Sequence, residues 1–193
     1  MSSNYYGMLF RMKFIRRWAL MRNLSTETLS DHTLDTAFIA HGLAVIAKTR
    51  LNEKIEPEKV ATAALFHDTA EVITGDLPTP VKYYNSDIKS AYKDIEKKAE
   101  DTLLDMLPAD LYDDFFALYR PDPLISKYVK AADKISALIK CKEELSLGNK
   151  EFKAAEASTE KAIKELSLPA ADIFIKEFLP AFKQGLDESM GIK

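Results

Sequence analysis

The pair His67-Asp68 closes an almost unbroken apolar run, Val60-Ala61-Thr62-Ala63-Ala64-Leu65-Phe66. An imidazole and a carboxylate at the end of so apolar a helix are costly to bury unless something binds them. A divalent cation is the most economical partner. His32 upstream and Asp133 downstream complete a candidate ligand set. Two imidazoles with two carboxylates suit borderline or harder divalent ions such as Mn, Fe, Co or Zn, not a thiolate site. On an octahedral ion that set leaves two positions open, one for a water and one for a phosphate oxygen, as metal-assisted hydrolysis requires.

Helical angles support the grouping. Side chains of His67 and Asp68 diverge by about 100° on a helix, so one ion above the edge between them can meet both. Glu71 follows His67 by four residues and Asp68 by three, on the same face, and can approach without being a ligand. Asp133 lies in a stripe of small and apolar residues, Ile125, Val129, Ala132, Ser136 and Ala137, where a bare carboxylate is unfavourable. A cation relieves that cost; a salt bridge to Lys or Arg is the alternative. His32 falls in the first turn of its helix, where a loop can aim it into a cleft. His41, nine residues on, is rotated by about 180° and is assigned to packing or a hydrogen bond.

The elements that must position these residues are helical. The chain has only 6 glycines and 8 prolines, β-branched alternation is nearly absent, and apolar residues recur at three- and four-residue spacing. An all-α fold in a single domain spanning 1–193 is expected. A first helix is predicted over about Tyr5 to Arg16. The next begins with Ser30 as N-cap and Asp31 at its positive end. It runs to about Lys48 with Leu34, Ala37, Phe38, His41, Ala44 and Val45 inward. Pro57 suits the first turn of the helix carrying His67-Asp68, and Gly75 with Pro78-Thr79-Pro80 forces an irregular loop. Further helices are predicted at about Asp87–Met106, Pro108–Leu118, Leu124–Leu147 and Phe152–Leu166. Gly148-Asn149 is a stop signal. A last helix starts near Pro169 and is interrupted by Pro180.

Composition excludes several classes. A net charge of −3 disfavours a general binder of nucleic-acid polymers, which need clustered basic excess. Cys141 is the only cysteine, so neither an intrachain disulfide nor a four-thiolate zinc site can form; it is expected as a small buried hydrophobe. No apolar stretch reaches the ~20 residues of a membrane span. The N-terminus mixes Arg11, Lys13, Arg16 and Arg17 with apolar residues, without the apolar core of a signal peptide. A cytoplasmic protein is expected.

The order His…His-Asp…Asp on helices resembles the HD-domain superfamily of metal-dependent phosphohydrolases. The segments RRWALMRNLSTETLSDHTL, LFHDTAEVITGDLPTPVKYYNS and VKAADKISALIKCKEELSLGN narrow the likeness to the bacterial 5′-deoxynucleotidases, dimeric enzymes that hydrolyse deoxyribonucleoside 5′-monophosphates to deoxynucleoside and phosphate. The resemblance implies an HD-type helical bundle around one divalent ion (Co, Mn, Fe, Zn or Cu) held by His32, His67, Asp68 and Asp133. It implies that Glu71 assists proton transfer, that Arg17 orients phosphate, and that Trp18 contacts the nucleoside. Asp76, Leu77, Pro78 and Thr79 match the loop receiving the sugar, while His32, Asp68 and Asp133 border the substrate as well. A homodimer is implied, with YYGMLFRMKF and FIKEFLPAF as candidate interface segments that core packing explains equally well. Three readings stay open beside this one. They are an HD-type hydrolase of a triphosphate or phosphodiester, a nucleotide-binding regulator without turnover and, from a different class, a helical interaction protein in which the acidic and imidazole groups are merely packed polar residues.

Overall fold

Helix-favouring composition and sparse glycine make most of the described residues helical. The computed structural model describes residues 2–82 and 84–191. In chain order the helices are α1 (Tyr5–Leu9), α2 (Leu29–Arg50), α3 (Pro57–Phe66), α4 (Glu71–Thr74), α5 (Thr79–Lys82), α6 (Ser86–Leu104), α7 (Tyr112–Tyr119), α8 (Pro123–Ser146), α9 (Lys153–Glu165), α10 (Pro169–Glu177) and α11 (Leu186–Ser189). Among the described residues there is no strand; extended backbone pairs only at an isolated antiparallel bridge, Arg16–Thr28.

The centre of the molecule is α2 and α8 with α3 against both, and α9 and α10 outside them. Small residues let these helices approach closely. Ala40, Leu43, Ala44 and Ala47 of α2 interlock with Val60 and Ala64 of α3 and with Ala131, Ala132 and Ile135 of α8. At Gly42 a Cβ would stand 3.4 Å from the Phe174 ring of α10, so a larger residue would push that helix away. A second apolar cluster gathers Tyr5, Leu103, Leu104 and Tyr119, with Phe66 and Phe115 packed on it. Its two buried phenols share a hydrogen bond of 2.8 Å. The candidate site lies where the clusters meet, because Phe66 belongs to the second while α2 and α8 belong to the first.

Several local expectations are corrected. The first helix ends at Leu9 and continues as a 3-10 turn over Phe10–Phe14, after which Ile15 is extended. The N-cap of α2 is Thr28, not Ser30: its hydroxyl accepts from Asp31 N while the Asp31 carboxylate accepts from Thr28 N, a reciprocal capping box. The inward face of α2 is also different. Ala37 and Ala44 are buried as expected, whereas Leu34, Phe38 and Val45 are 52%, 70% and 39% exposed and His41 is exposed. The helix carries apolar residues on all sides, and the buried face is the one through Ile39, Leu43 and Ile46 with the alanines, not the one through Leu34 and Phe38. Finally, α3 stops at Phe66; His67 is its C-cap and residues 67–70 form a turn before α4. Thr79 starts a helical turn where an irregular loop was expected.

Other boundaries follow the sequence closely. α8 starts on Pro123 after the Asp122 cap, and Gly148 (φ 88°) turns the chain out of it. Pro180 falls in a separate 3-10 turn beyond α10. Cys141 is buried and free. The two aromatic segments divide, with Tyr5, Met12 and Phe174 in the interior and Phe10, Phe14, Phe178 and Phe182 outside.

Candidate metal centre

Three elements deliver the donors. α2 supplies His32 one turn after its capped start, the turn after α3 supplies His67 and Asp68, and α8 supplies Asp133 from mid-helix. His32 is fully buried. Its Nε2 stands 3.3 Å from Asp133 Oδ1 and 3.8 Å from Asp68 Oδ2, and its Nδ1 lies 3.1 Å from the Ser136 hydroxyl. His67 Nδ1 donates to the carbonyl of Ala64 at 2.7 Å. That bond fixes the ring and turns Nε2 inward, 3.1 Å from Asp68 Oδ2. The contact is close but misaligned, so His67 Nε2 is a buried nitrogen without a hydrogen bond.

That orphaned nitrogen is what a metal ligand looks like without its ion. Ligands bound at about 2.1 Å to one ion stand about 3 to 4.2 Å apart. The separations of 3.1, 3.3 and 3.8 Å fall in that range. Candidate donor atoms of His32, His67 and Asp68 all lie within 4.8 Å of one another. Asp133 stands outside that trio and joins it through His32, while its second oxygen takes the Lys134 ammonium at 2.9 Å. Of the two alternatives raised for Asp133, the salt bridge is present, to Lys134, and it leaves Oδ1 turned to His32. The residues present fit a divalent cation.

Electrostatics are strongly coupled here. Burial pushes the Asp68 carboxyl up, but the imidazoles of His67 and His32 outweigh it and hold it at about 2. Burial lowers His67, yet Asp68 and Asp133 raise it to about 9, so cation uptake must displace a proton. Asp133 is held well below the usual carboxylate range by His32 and Lys134 against its burial. Glu71 goes the other way: burial, then repulsion from Asp68 and Asp76, raises it to about 9. Its Oε2 is buried without a hydrogen bond.

Arg17 and Trp18 approach from the segment before α2. Arg17 Nη1 is 3.6 Å from Asp68. Burial lowers this guanidinium's pKa, but Asp68, Asp133, Glu27 and Asp76 together raise it. The Trp18 ring packs on Phe152 with centroids 5.2 Å apart. Asp76 follows Gly75, whose φ of 73° makes the turn out of α4, and it acts electrostatically on both Glu71 and Arg17. Leu77, Pro78 and Thr79 continue from it; among the described residues no side-chain hydrogen bond joins them to the donors. Side chains of Asp68, Asp133 and His67 remain 22%, 21% and 13% accessible. A cleft of about 320 Å³, walled by Phe66, Tyr119 and Val129, opens against His67 and Asp133.

Sequence reasoning missed Glu27, Ser136 as a partner of His32, and the Lys140–Glu144 pair. Glu27 precedes a helix cap and reads as a surface acid, yet Trp18 Nε1 donates to it at 2.6 Å. Lys140 and Glu144 are buried; their i,i+4 spacing on α8 was the available signal.

Donors in the order His…His-Asp…Asp, brought together between helices where they fit a divalent ion, are the mark of an HD-type hydrolase. A family profile described as "5′-deoxynucleotidase YfbR-like" matches residues 4–182. A curated relative from Vibrio cholerae, named 5′-deoxynucleotidase, is 47% identical over 189 residues, covering 96% of this chain and 97% of its own. The chain belongs to the YfbR-like 5′-deoxynucleotidase family. Solved structures share the fold. An HD-domain phosphohydrolase from Listeria innocua aligns with TM-score 0.82 at 21% identity, over 98% of this chain and 90% of that one. A cyanophage S-2L HD phosphohydrolase, described as bound to dA and one catalytic Zn²⁺ ion, aligns with TM-score 0.67 at 17% identity, over 96% and 99%.

Proposed function

We propose that the protein hydrolyses deoxyribonucleoside 5′-monophosphates to deoxynucleoside and inorganic phosphate with one divalent ion (Co, Mn, Fe, Zn or Cu) held by His32, His67, Asp68 and Asp133. The observation that carries this reading is the mutual approach of the His32, His67 and Asp68 donors within 4.8 Å, in a chain whose relatives are named 5′-deoxynucleotidases.

A bound cation supplies positive charge against the phosphoryl oxygens and eases deprotonation of water. The chain supplies the rest. Arg17, with its planar guanidinium beside Asp68, orients the phosphate. Glu71, whose buried carboxyl holds a proton in the metal-free protein, is assigned the transfer of a proton to the leaving 5′-oxygen. Water adds to phosphorus as the bond from phosphorus to the 5′-oxygen breaks, and no covalent phosphoenzyme forms. Trp18 contacts the nucleoside. Asp76 accepts from the sugar 3′-hydroxyl, while Leu77, Pro78 and Thr79 form a wall offering no partner to an added 2′-hydroxyl.

The reading includes a homodimer in the cytoplasm. In support of the dimer, Leu34, Phe38 and Val45 leave an apolar face of α2 exposed. No helix among the described residues is long and apolar enough to cross a membrane, and neither a membrane nor a nucleic-acid polymer is a proposed partner. The test is phosphate release from matched deoxyribo- and ribonucleoside 5′-monophosphates, a triphosphate and a phosphodiester, with metals added singly. Release from the deoxyribo monophosphate above all others is expected; preferential cleavage of the triphosphate or diester overturns the substrate assignment.

A further inference from the structure

We infer that Glu27 is a positioning residue for substrate binding, a carboxylate that holds Trp18 and Arg17 together as one rigid recognition arm. The inference rests on the proposed hydrolysis for its kinetic arm only.

Backbone pairing puts Glu27 in place. Arg17 N donates to the Glu27 carbonyl at 3.0 Å, and Leu29 N to the Ile15 carbonyl at 2.8 Å. These contacts zip the ends of the 15–29 segment together around the Arg16–Thr28 bridge and set Glu27 opposite Arg17. Trp18 then takes a left-handed backbone, φ 60°, which a residue with a bulky side chain adopts only when its surroundings enforce it. Three contacts do so. Met21 N donates to the Trp18 carbonyl at 2.9 Å, Asn23 Nδ2 donates to the same oxygen at 3.2 Å, and the indole Nε1 donates to Glu27 Oε2 at 2.6 Å.

The same Oε2 lies 3.5 Å from Arg17 Nε, and Oε1 lies 3.9 Å from His32 Nδ1. Glu27 is thus the counterweight to Asp68. Arg17 Nε faces one carboxylate and Nη1 the other, so the guanidinium is suspended between them. Without Glu27, Arg17 is drawn toward Asp68 alone, and Trp18 loses the acceptor that maintains its strained turn. The Glu27 side chain is only 10% exposed, and an unpaired carboxylate is not kept at such a place without cost. Arg17 Nε is itself buried, makes no hydrogen bond, and has Glu27 Oε2 beside it at 3.5 Å, so removing Glu27 takes away the charge that faces it.

Trp18 is the sole tryptophan, so intrinsic fluorescence reports this contact directly. The experiment compares Glu27→Ala and Glu27→Gln with the native metal-loaded enzyme. It measures tryptophan emission and acrylamide quenching, metal content, and KM and kcat with thymidine 5′-monophosphate. Glu27→Ala is expected to shift the emission, increase quenching and raise KM about tenfold with kcat changed less than about threefold, at unchanged metal content. Glu27→Gln retains an acceptor for the indole and is expected to restore native emission while recovering only part of the KM. Should Glu27→Ala not fold, Glu27→Gln still decides: native emission with raised KM supports the inference, and native KM overturns it. Native emission and KM in Glu27→Ala also overturn it. If the native enzyme releases no phosphate from the monophosphate, the proposed function fails, while the emission of the two variants still tests the Glu27–Trp18 contact.

Discussion

Removing the Glu144 carboxylate should release the segment that carries Arg17 and Trp18. Glu144 is fully buried. It accepts from Leu24 N at 3.0 Å, Ser25 N at 3.0 Å, Asn149 Nδ2 at 2.8 Å and Lys140 Nζ at 2.6 Å. Lys140 in turn donates to the Ser25 carbonyl at 2.5 Å. Four charge-assisted bonds at about 1.5 kcal/mol each suggest about 6 kcal/mol, an upper figure because they share one group. Breaking a buried pair on one side costs about 3–5 kcal/mol. Burial pushes the Glu144 carboxyl up, but Lys140, Asn149 and the two backbone amides hold it at about 2 instead of 4.5. That displacement corresponds to about 3 kcal/mol favouring the ionised folded form. Glu144→Gln is therefore expected to lose about 3 kcal/mol in urea denaturation at pH 7, roughly 10 °C in Tm for a chain of this size. Lys140→Met should also lose about 3 kcal/mol, because the buried Glu144 carboxylate then keeps three neutral donors but no counter-charge. The pH dependence has a definite sign: a depressed carboxyl contributes fully above 4.5, and its contribution drains away as pH falls toward 2. The gap between native protein and Glu144→Gln must narrow over that interval. A Glu144→Gln protein within about 0.5 kcal/mol of native at pH 7, or a gap that does not narrow on acidification, refutes the reasoning.

Two more predictions concern the loop and the proton. Gly75→Ala meets nothing within 4 Å of the added Cβ, but φ 73° with ψ 163° is a conformation essentially confined to glycine, so it should cost about 1–3 kcal/mol of stability by urea denaturation; the backbone shift that relieves this strain should also raise KM by displacing Asp76. In metal-free protein the Glu71 carboxyl lies at about 9 because burial, Asp68 and Asp76 oppose its charge. The folded state therefore binds that proton more tightly than the unfolded chain, and stability falls as pH rises from the ordinary carboxyl range toward 9. Metal-free Glu71→Gln should be more stable than metal-free native protein at pH 8 by thermal denaturation, while losing at least about tenfold in kcat when metal-loaded.

The long elements were legible because their end signals agree with their patterns. Pro123 after Asp122 opens α8 and Gly148 closes it. Along that helix, the stripe through Val129, Ala132 and Ser136 is buried as periodicity requires. The HD pair was legible because its chemistry clashes with the run before it. α2 was harder: it is apolar on all sides, so periodicity alone does not separate the buried Ile39, Leu43 and Ile46 from the exposed Leu34 and Phe38. Its cap was missed because Ser30 resembles a cap as much as Thr28 does, and the reciprocal bond with Asp31 decides between them. Glu27 was invisible for a related reason. Its role comes from backbone pairing between Arg17 and Glu27, ten positions apart in an irregular segment, and no helical or strand period announces that contact.

The most direct test is to strip the protein with a chelator and titrate one divalent ion back while recording phosphate release from thymidine 5′-monophosphate, for the native chain and for His67→Ala. Activity should return along a line that breaks at one ion per chain, and His67→Ala should neither hold the ion nor recover. Full turnover by the stripped native protein, or full recovery by His67→Ala, would contradict the account.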